Sequence, residues 1–303
     1  MHATTAVAPG HVTGLFFIAD QDKDPLRQGS LGAGFSITPG VRTRVRAGSA
    51  AAPGCRFTVN GRPEDELPVS EKVYHLFRQN HSAASAAALE ADVDIGLPQG
   101  SGFGTSGAGA LSLALALNAY FGMPLSAQEA GRIAHRAEVE CRTGLGTVIG
   151  EYYGGFEIRT APGAPGLGEV RTFTAAQELT AVFAVFGPYS TQTALSDEAI
   201  RERINRYGTQ YHRQLAQEPT VDRFLRASRD FSFSTGLLTP HTRQLLESLE
   251  REGFIGGMLM FGDAIFTLVN KGDAEGAADL LSREAPRAQV FAAALDTNGG
   301  RVI

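Results

Sequence analysis

Two cysteines in 303 residues, Cys55 and Cys141, lie far apart and form no C-x-x-C pair. This argues against a disulfide framework or a zinc knuckle and fits a reduced, cytoplasmic setting. The chain also lacks a run of 18 apolar residues and a charged-then-apolar opening segment, so no membrane anchor is expected. Positive charge is scarce: 27 Lys and Arg against 32 Asp and Glu leave a net charge of −5. A general nucleic-acid binder needs a basic surface to neutralise phosphates, and none is expected here. The one basic run, VRTRVRAG (41–48), alternates and reads as a strand with a solvated face.

Glycine is abundant. Its 36 residues cluster near 29–34, 96–109, 144–155 and 253–262, as loops built for close backbone approach would require. The length allows two domains. In the first, TTAVA, LFFIA, GAGFSI, VRTRVRAG and CRFTVNG read as strands. Ser70 is expected to cap a helix over 71–89, ADVDIGLP (91–98) alternates as a strand, and a helix runs from the glycine loop to about Tyr120. Ser126 and Glu129 form a capping box, and 147–160 reads as strand. APGAPGLGE (161–169) is the most linker-like stretch, so the expected domains are 1–162 and 163–303. The second half reads strand (181–187), helices capped at Ser196-Asp197-Glu198 and Thr239, a hairpin at Gly262-Asp263, a helix capped by Asp273, and strand 289–295. That is the split βαβ, ferredoxin-like order.

GLPQGSGFGTSGAG (96–109) raises the functional question, because a glycine-rich turn feeding a helix gathers backbone N–H groups about an anion. Gly102-x-Gly104-x-x-Gly107 formally matches a dinucleotide fingerprint, but the preceding strand alternates and the nearest acid, Glu129, serves a helix cap. A Walker A loop needs a following Gly-Lys-Ser/Thr, which is absent. A nucleophile elbow needs glycines on both sides of the serine, and Ala108 follows Ser106. Two readings remain. Either Thr105 merely caps the helix, or Thr105, Ser106 and the free N–H groups receive a polyphosphate and its metal. Five glycines between 100 and 109 exceed what a cap needs.

Residues 98–108 resemble the phosphate-binding motif of the GHMP kinases, Pro-x-x-x-Gly-Leu-Gly-Ser-Ser-Ala, with Phe103, Thr105 and Gly107 as mild changes. The segment 6–37 resembles the opening of the archaeal-type pantoate kinases through Pro9-Gly10-His11, Asp20-x-Asp22-x-Asp24-Pro25 and Gly29-Ser30-x-Gly32-Ala33-Gly34. AHRAEVECRTGLGTVIGEYYGG (134–155) is similar to the same branch. The resemblance implies an α+β, two-domain fold, with a ribosomal S5 domain 2-like first domain and a ferredoxin-like second. It also implies an ATP- and Mg²⁺-dependent kinase acting on a small hydroxy acid, with a homodimer as a family analogy. Two departures stand out. Many GHMP kinases carry an Asp base where this chain has Gly144-Leu145-Gly146-Thr147, and their C-terminal glycine motif is only faint in GGMLMFGD (256–263).

On that resemblance, Pro98, Gly100, Ser101, Gly102, Phe103, Gly104, Thr105, Ser106 and Gly107 are the expected ATP cradle. Ser106 and Glu138 are the expected Mg²⁺ ligands, since a hard cation takes oxygen ligands. On sequence alone Glu138 reads first as a surface glutamate beside Arg132 or Arg142, and the resemblance brings the two readings level; His135 reads as a packing residue. His11, Arg27, Ser30, Gly32 and Arg142 are candidates for the substrate, the arginines because guanidinium grips carboxylates bidentately. Thr147, Arg142 and His11 are the candidate catalytic groups, with Thr147 positioning the accepting hydroxyl. Asp20, Asp22 and Asp24 read as a solvated loop. The rival functions are a kinase for another alcohol (mevalonate or homoserine) and an ATP-binding regulator without turnover.

Overall fold

The computed structural model describes residues 3–49, 53–188 and 197–303. In chain order its strands and helices begin with β1 (Ala3–Ala19), β2 (Gly29–Ala47), β3 (Gly54–Val59), β4 (Arg62–Pro63), α1 (Pro68–Asn80), α2 (Ser82–Ala86) and β5 (Ala88–Ile95). Next come α3 (Thr105–Tyr120), α4 (Ala127–Cys141), α5 (Thr147–Tyr153), β6 (Phe156–Ala161), β7 (Glu169–Phe173) and β8 (Leu179–Pro188). The remainder comprises α6 (Glu198–Gln217), α7 (Val221–Thr235), α8 (Pro240–Arg251), β9 (Gly256–Met258), β10 (Gly262–Asn270), α9 (Ala274–Glu284), β11 (Gln289–Leu295) and β12 (Arg301–Val302).

The four opening strands expected from the sequence are two long ones. β1 and β2 pair antiparallel along their whole length, with register shifts at Pro9/Gly10 and Thr13/Leu15. Bulges of this kind bend and twist a ribbon, and the bent ribbon serves two cores. Its outer half buries Ala6, Ala8, Val41 and Val45 against α1, α3 and α4. Its inner half buries Leu15, Phe16, Phe35 and Ile37 with Phe183, Phe224 and Phe266 of the second half. α3 is buried on nearly every side, as its apolar sequence requires.

The second half keeps the expected ferredoxin-like order. Its strands run β11-β8-β10-β9 across the sheet, every pair antiparallel. β11 continues this sheet onto β2 through Ala294 and Leu295, and β12 returns to pair with β1. The expected cap at Ser196 lies outside the described residues; Asp197 accepts from the Ile200 N–H and caps α6.

Two local expectations fail for physical reasons. Pro68 at the first helical position, rather than Ser70, starts α1, and the extended backbone of His81 separates it from α2. The stretch expected as strand at 147–160 is a helix for its first turns. Val148 and Ile149 are buried there, and a side chain on Gly150 would strike His11. Packing thus outweighs the strand preference of β-branched residues. Gly154, at φ +71°, ends the helix and lets β6 begin.

Candidate active site

The glycine loop has left-handed backbone at Gly100, Gly102 and Gly104, with φ of +70°, +88° and +66°. Gly104 is itself the N-cap of α3, and no side chain caps that end. Thr105 is therefore the first helical residue and not the cap. The first-turn N–H groups of a 16-residue buried helix are left to face whatever lies ahead of them.

What lies ahead is a cavity of about 400 Å³. One wall is the loop itself, at Gly100, Gly102 and Gly104 to Gly107. A second is Glu138 and the turn Arg142–Thr147, and a third is Thr13, Phe16 and Ser30 from the β1–β2 ribbon. Met260 and Phe261 from the second half complete it. They sit in the tight turn between β9 and β10, with Phe261 at φ +61°. Gly262 packs so closely on the Ser101 carbonyl that no side chain would fit there. The segment GGMLMFGD therefore locks onto the glycine loop.

Ser106 and Glu138 meet as expected. The Ser106 hydroxyl donates to Glu138 Oε1 at 2.5 Å, and the Thr143 hydroxyl to the same oxygen at 2.7 Å. Glu138 is only 2 % exposed. Burial pushes its carboxyl above the usual range, while the two hydroxyl donors pull it back. Its second oxygen lies where a side chain on Gly144 would stand. Arg142, the left-handed C-cap of α4, lines the cavity, as do Thr147 and Ser30. His135 is a packing residue: it is buried, bonded to the Gln28 carbonyl at 3.0 Å, and pushed by burial toward the neutral form.

Several candidates do not reach the cavity wall. His11 is fully buried, held by Glu157 Oε1 at 2.9 Å and by the Thr13 hydroxyl at 3.3 Å, so it stands behind Thr13. Arg27 is exposed in a turn whose N–H groups return to Asp24. Gly32 is buried at φ +155° against the Leu15 carbonyl and Arg159. Phe103 belongs to the core, edge-on to Phe183 at 5.1 Å. Ser101 is buried beneath the turn, and Pro98 lies outside the lining. Asp20 pairs with Arg201 at 2.8 Å.

Sequence reasoning missed a buried polar chamber behind the cavity. Arg159, 1 % exposed, bonds Glu157 through one guanidinium nitrogen, while its Nε has no partner. Gly146 and Ser30 separate that Nε from the cavity, and a side chain on Gly146 would begin 3.3 Å from it. Burial lowers the Arg159 pKa, and Glu157 opposes that shift. Glu151 is also enclosed there, with both carboxyl oxygens unpartnered.

An uncapped helix N-terminus, a serine–glutamate pair and a cavity closed by a ferredoxin-like half suit a phosphotransferase, and the similarities to known proteins give the same class. The family GHMP kinases N terminal domain matches residues 69–155. The chain belongs to the pantoate kinase family. It is 31% identical to a pantoate kinase of Methanocaldococcus jannaschii over 276 residues, covering 90% of this chain and 96% of that protein. It is 32% identical to a pantoate kinase of Thermococcus kodakarensis over 280 residues, 91% of each. A solved phosphotransferase related to the CoA biosynthesis pathway superposes with a TM-score of 0.88 at 29% identity, covering 100% of this chain and 99% of that one. A mevalonate diphosphate decarboxylase from Staphylococcus aureus has TM-score 0.76 at 15% identity over 99% of this chain and 98% of its own, a likeness of fold alone.

Proposed function

We propose that this chain transfers the γ-phosphoryl group of ATP to the primary hydroxyl of pantoate, giving 4-phosphopantoate for coenzyme A synthesis. The observation that carries the reading is the cavity set against the uncapped N-terminus of α3. The loop N–H groups and the helix dipole receive the phosphates, and such preorganised donors stabilise charge where it develops. Phosphoryl transfer asks mainly for position and charge neutralisation, so the lack of an aspartate among residues 144–147 is compatible with turnover.

The donor set at Ser106 and Glu138 fits Mg²⁺: a hydroxyl oxygen and a carboxylate meet where two cavity walls join. When bound, the metal neutralises phosphate charge. Among the described residues no cluster of three or more His, Cys, Asp or Glu side chains could hold a metal by itself. A site completed by phosphate and water suits that count.

The substrate end is set by Ser30 and Arg142 on the cavity wall, which suit a carboxylate, with the buried Arg159 guanidinium adding positive charge from behind Gly146 and Ser30. Phe16, Leu145 and Phe261 offer an apolar surface to a quaternary carbon bearing two methyl groups. The expected division at 162/163 remains a proposal: β8 to β11 keep the ferredoxin-like order beyond it, while β7 pairs back with β6, β11 with β2 and β12 with β1 across it. Among the described residues no helix is long and apolar enough to cross a membrane, and the two free thiols accord with a cytoplasmic setting.

The test is incubation with ATP and Mg²⁺ against D-pantoate, mevalonate and homoserine, read by product mass. Phosphopantoate is expected. Phosphorylation of another alcohol alone would overturn the substrate, and nucleotide binding without any product would overturn the enzyme.

A further inference from the structure

We propose that Glu151 acts through Thr147 as the proton-accepting positioning residue of the transfer step. The inference rests on the kinase reading above. Glu151 is fully buried and neither carboxyl oxygen has a hydrogen-bond partner among the described residues. Buried polar groups are normally satisfied, so an acid enclosed with both oxygens idle calls for a use.

Its oxygens point at the start of α3. A side chain on Gly104 would begin 2.6 Å from Oε1. One on Gly107 would begin 2.8 Å from Oε2 and 2.7 Å from the Thr147 hydroxyl. The cavity-wall hydroxyl and the buried carboxyl thus share the space that Gly107 leaves empty. They are also four residues apart on α5, the spacing at which side chains on one helix face meet. The nearest backbone donor, the Ala108 N–H, is already given to the Gly104 carbonyl at 3.0 Å. The Thr147 hydroxyl, across that space, is the side-chain donor the geometry sets beside Glu151, without a direct bond between them in the structure.

The groups facing Glu151 are Glu138 from α4, Glu157 from β6, itself paired with Arg159, and His11 from β1; α3 carries no Asp, Glu, Lys, Arg or His. Burial, then Glu138 and Glu157, raise its carboxyl well above the ordinary range, and the Ala108 N–H opposes that shift. In the step, the alcohol oxygen bonds to the γ-phosphorus, and the bond from that phosphorus to the β–γ bridging oxygen breaks, its electron pair leaving with ADP. The alcohol proton passes to the Thr147 oxygen as the Thr147 proton passes to the Glu151 carboxylate. A later return of that proton to solvent resets the site.

The experiment compares steady-state kinetics of the wild type, Glu151→Gln, Thr147→Val, Thr147→Ser and the Gln/Val double variant, with thermal melts to confirm folding. Glu151→Gln and Thr147→Val are each expected to lower kcat by about 10²-fold or more, with both KM values within about threefold of wild type. Thr147→Ser, which keeps the hydroxyl, retains most of the activity. The double variant falls no further than either single one, as residues acting in one relay require. Glutamine is isosteric with a neutral carboxylic acid, so a Glu151→Gln enzyme within threefold of wild type would overturn the proposal. So would losses that multiply in the double variant. The ratios are read on whichever alcohol the wild type phosphorylates, so a wild type inert toward pantoate counts against the substrate and not against Glu151.

Discussion

Two glycine-rich turns of nearly equal density, Gly100–Gly107 and Pro162–Gly168, serve opposite ends. In the second the backbone closes on itself: Ala164 donates to the Leu26 carbonyl at 2.9 Å, and Gly168 donates back to Ala164 at 2.9 Å. Arg132 Nε caps the Pro165 carbonyl at 3.1 Å, and Gly163, Ala164 and Pro165 are buried. In the first turn the left-handed glycines lead into a helix that no side chain caps, and a cavity faces them. Composition does not separate a fastening from a cradle. The destination of the backbone donors does.

The largest effect is expected in the open turn. Ser106→Ala and Glu138→Gln are each expected to lower kcat/KM by about 10²–10³, the scale of losing one preorganised charge-stabilising group, measured by coupled ADP release. Gly107→Ala comes next. Its backbone is helical, so alanine fits the chain, yet the new methyl enters the space of the Thr147 hydroxyl and the Glu151 carboxyl. A tenfold or greater fall in kcat is the expected outcome, with a lower melting temperature because the buried neighbours must shift.

Gly166→Ala tests the closed turn. Its φ of +76° costs a non-glycine residue about 1–2 kcal/mol. The melting temperature therefore falls while kcat stays at the wild-type value. A change in kcat there would break the distinction between the two turns.

The smallest effect concerns pH and stability. A carboxyl raised in the folded state contributes stability that is full below the usual glutamate range and is lost as pH rises through its folded value. Glutamine cannot ionise, so Glu151→Gln is expected to melt a few degrees above wild type at pH 8 and with it near pH 4. Calorimetry at the two pH values checks the sign.

Much of the scaffold was legible because it is written locally. The capping box of Ser126 and Glu129, the Thr239 cap ahead of Pro240, and the helix from Thr105 to Tyr120 all stand as the residues implied. The Ser106–Glu138 pair was legible only through the resemblance, since on sequence alone a glutamate beside Arg132 and Arg142 reads first as a surface residue. The chamber was not legible at all. Its members come from β1, α5 and β6, and the His11–Glu157 bond spans 146 residues. Glu151 and Glu157 lie in a stretch whose β-branched, aromatic and glycine residues read as one strand, and the helix that aims Glu151 exists only through tertiary packing. One signal was present: charged side chains inside an otherwise apolar run, EYYGGFEIR, that a fold must either pair or use.

The most direct test of the account is the position of the transferred group on the product, read by phosphorus–proton coupling in NMR of the pantoate reaction. With the carboxylate end held toward Arg159 and Arg142, the phosphorus couples to the C4 methylene protons of the primary alcohol. Coupling to the C2 proton, or an acyl phosphate on the carboxylate, would place the substrate the other way round and contradict the site as described.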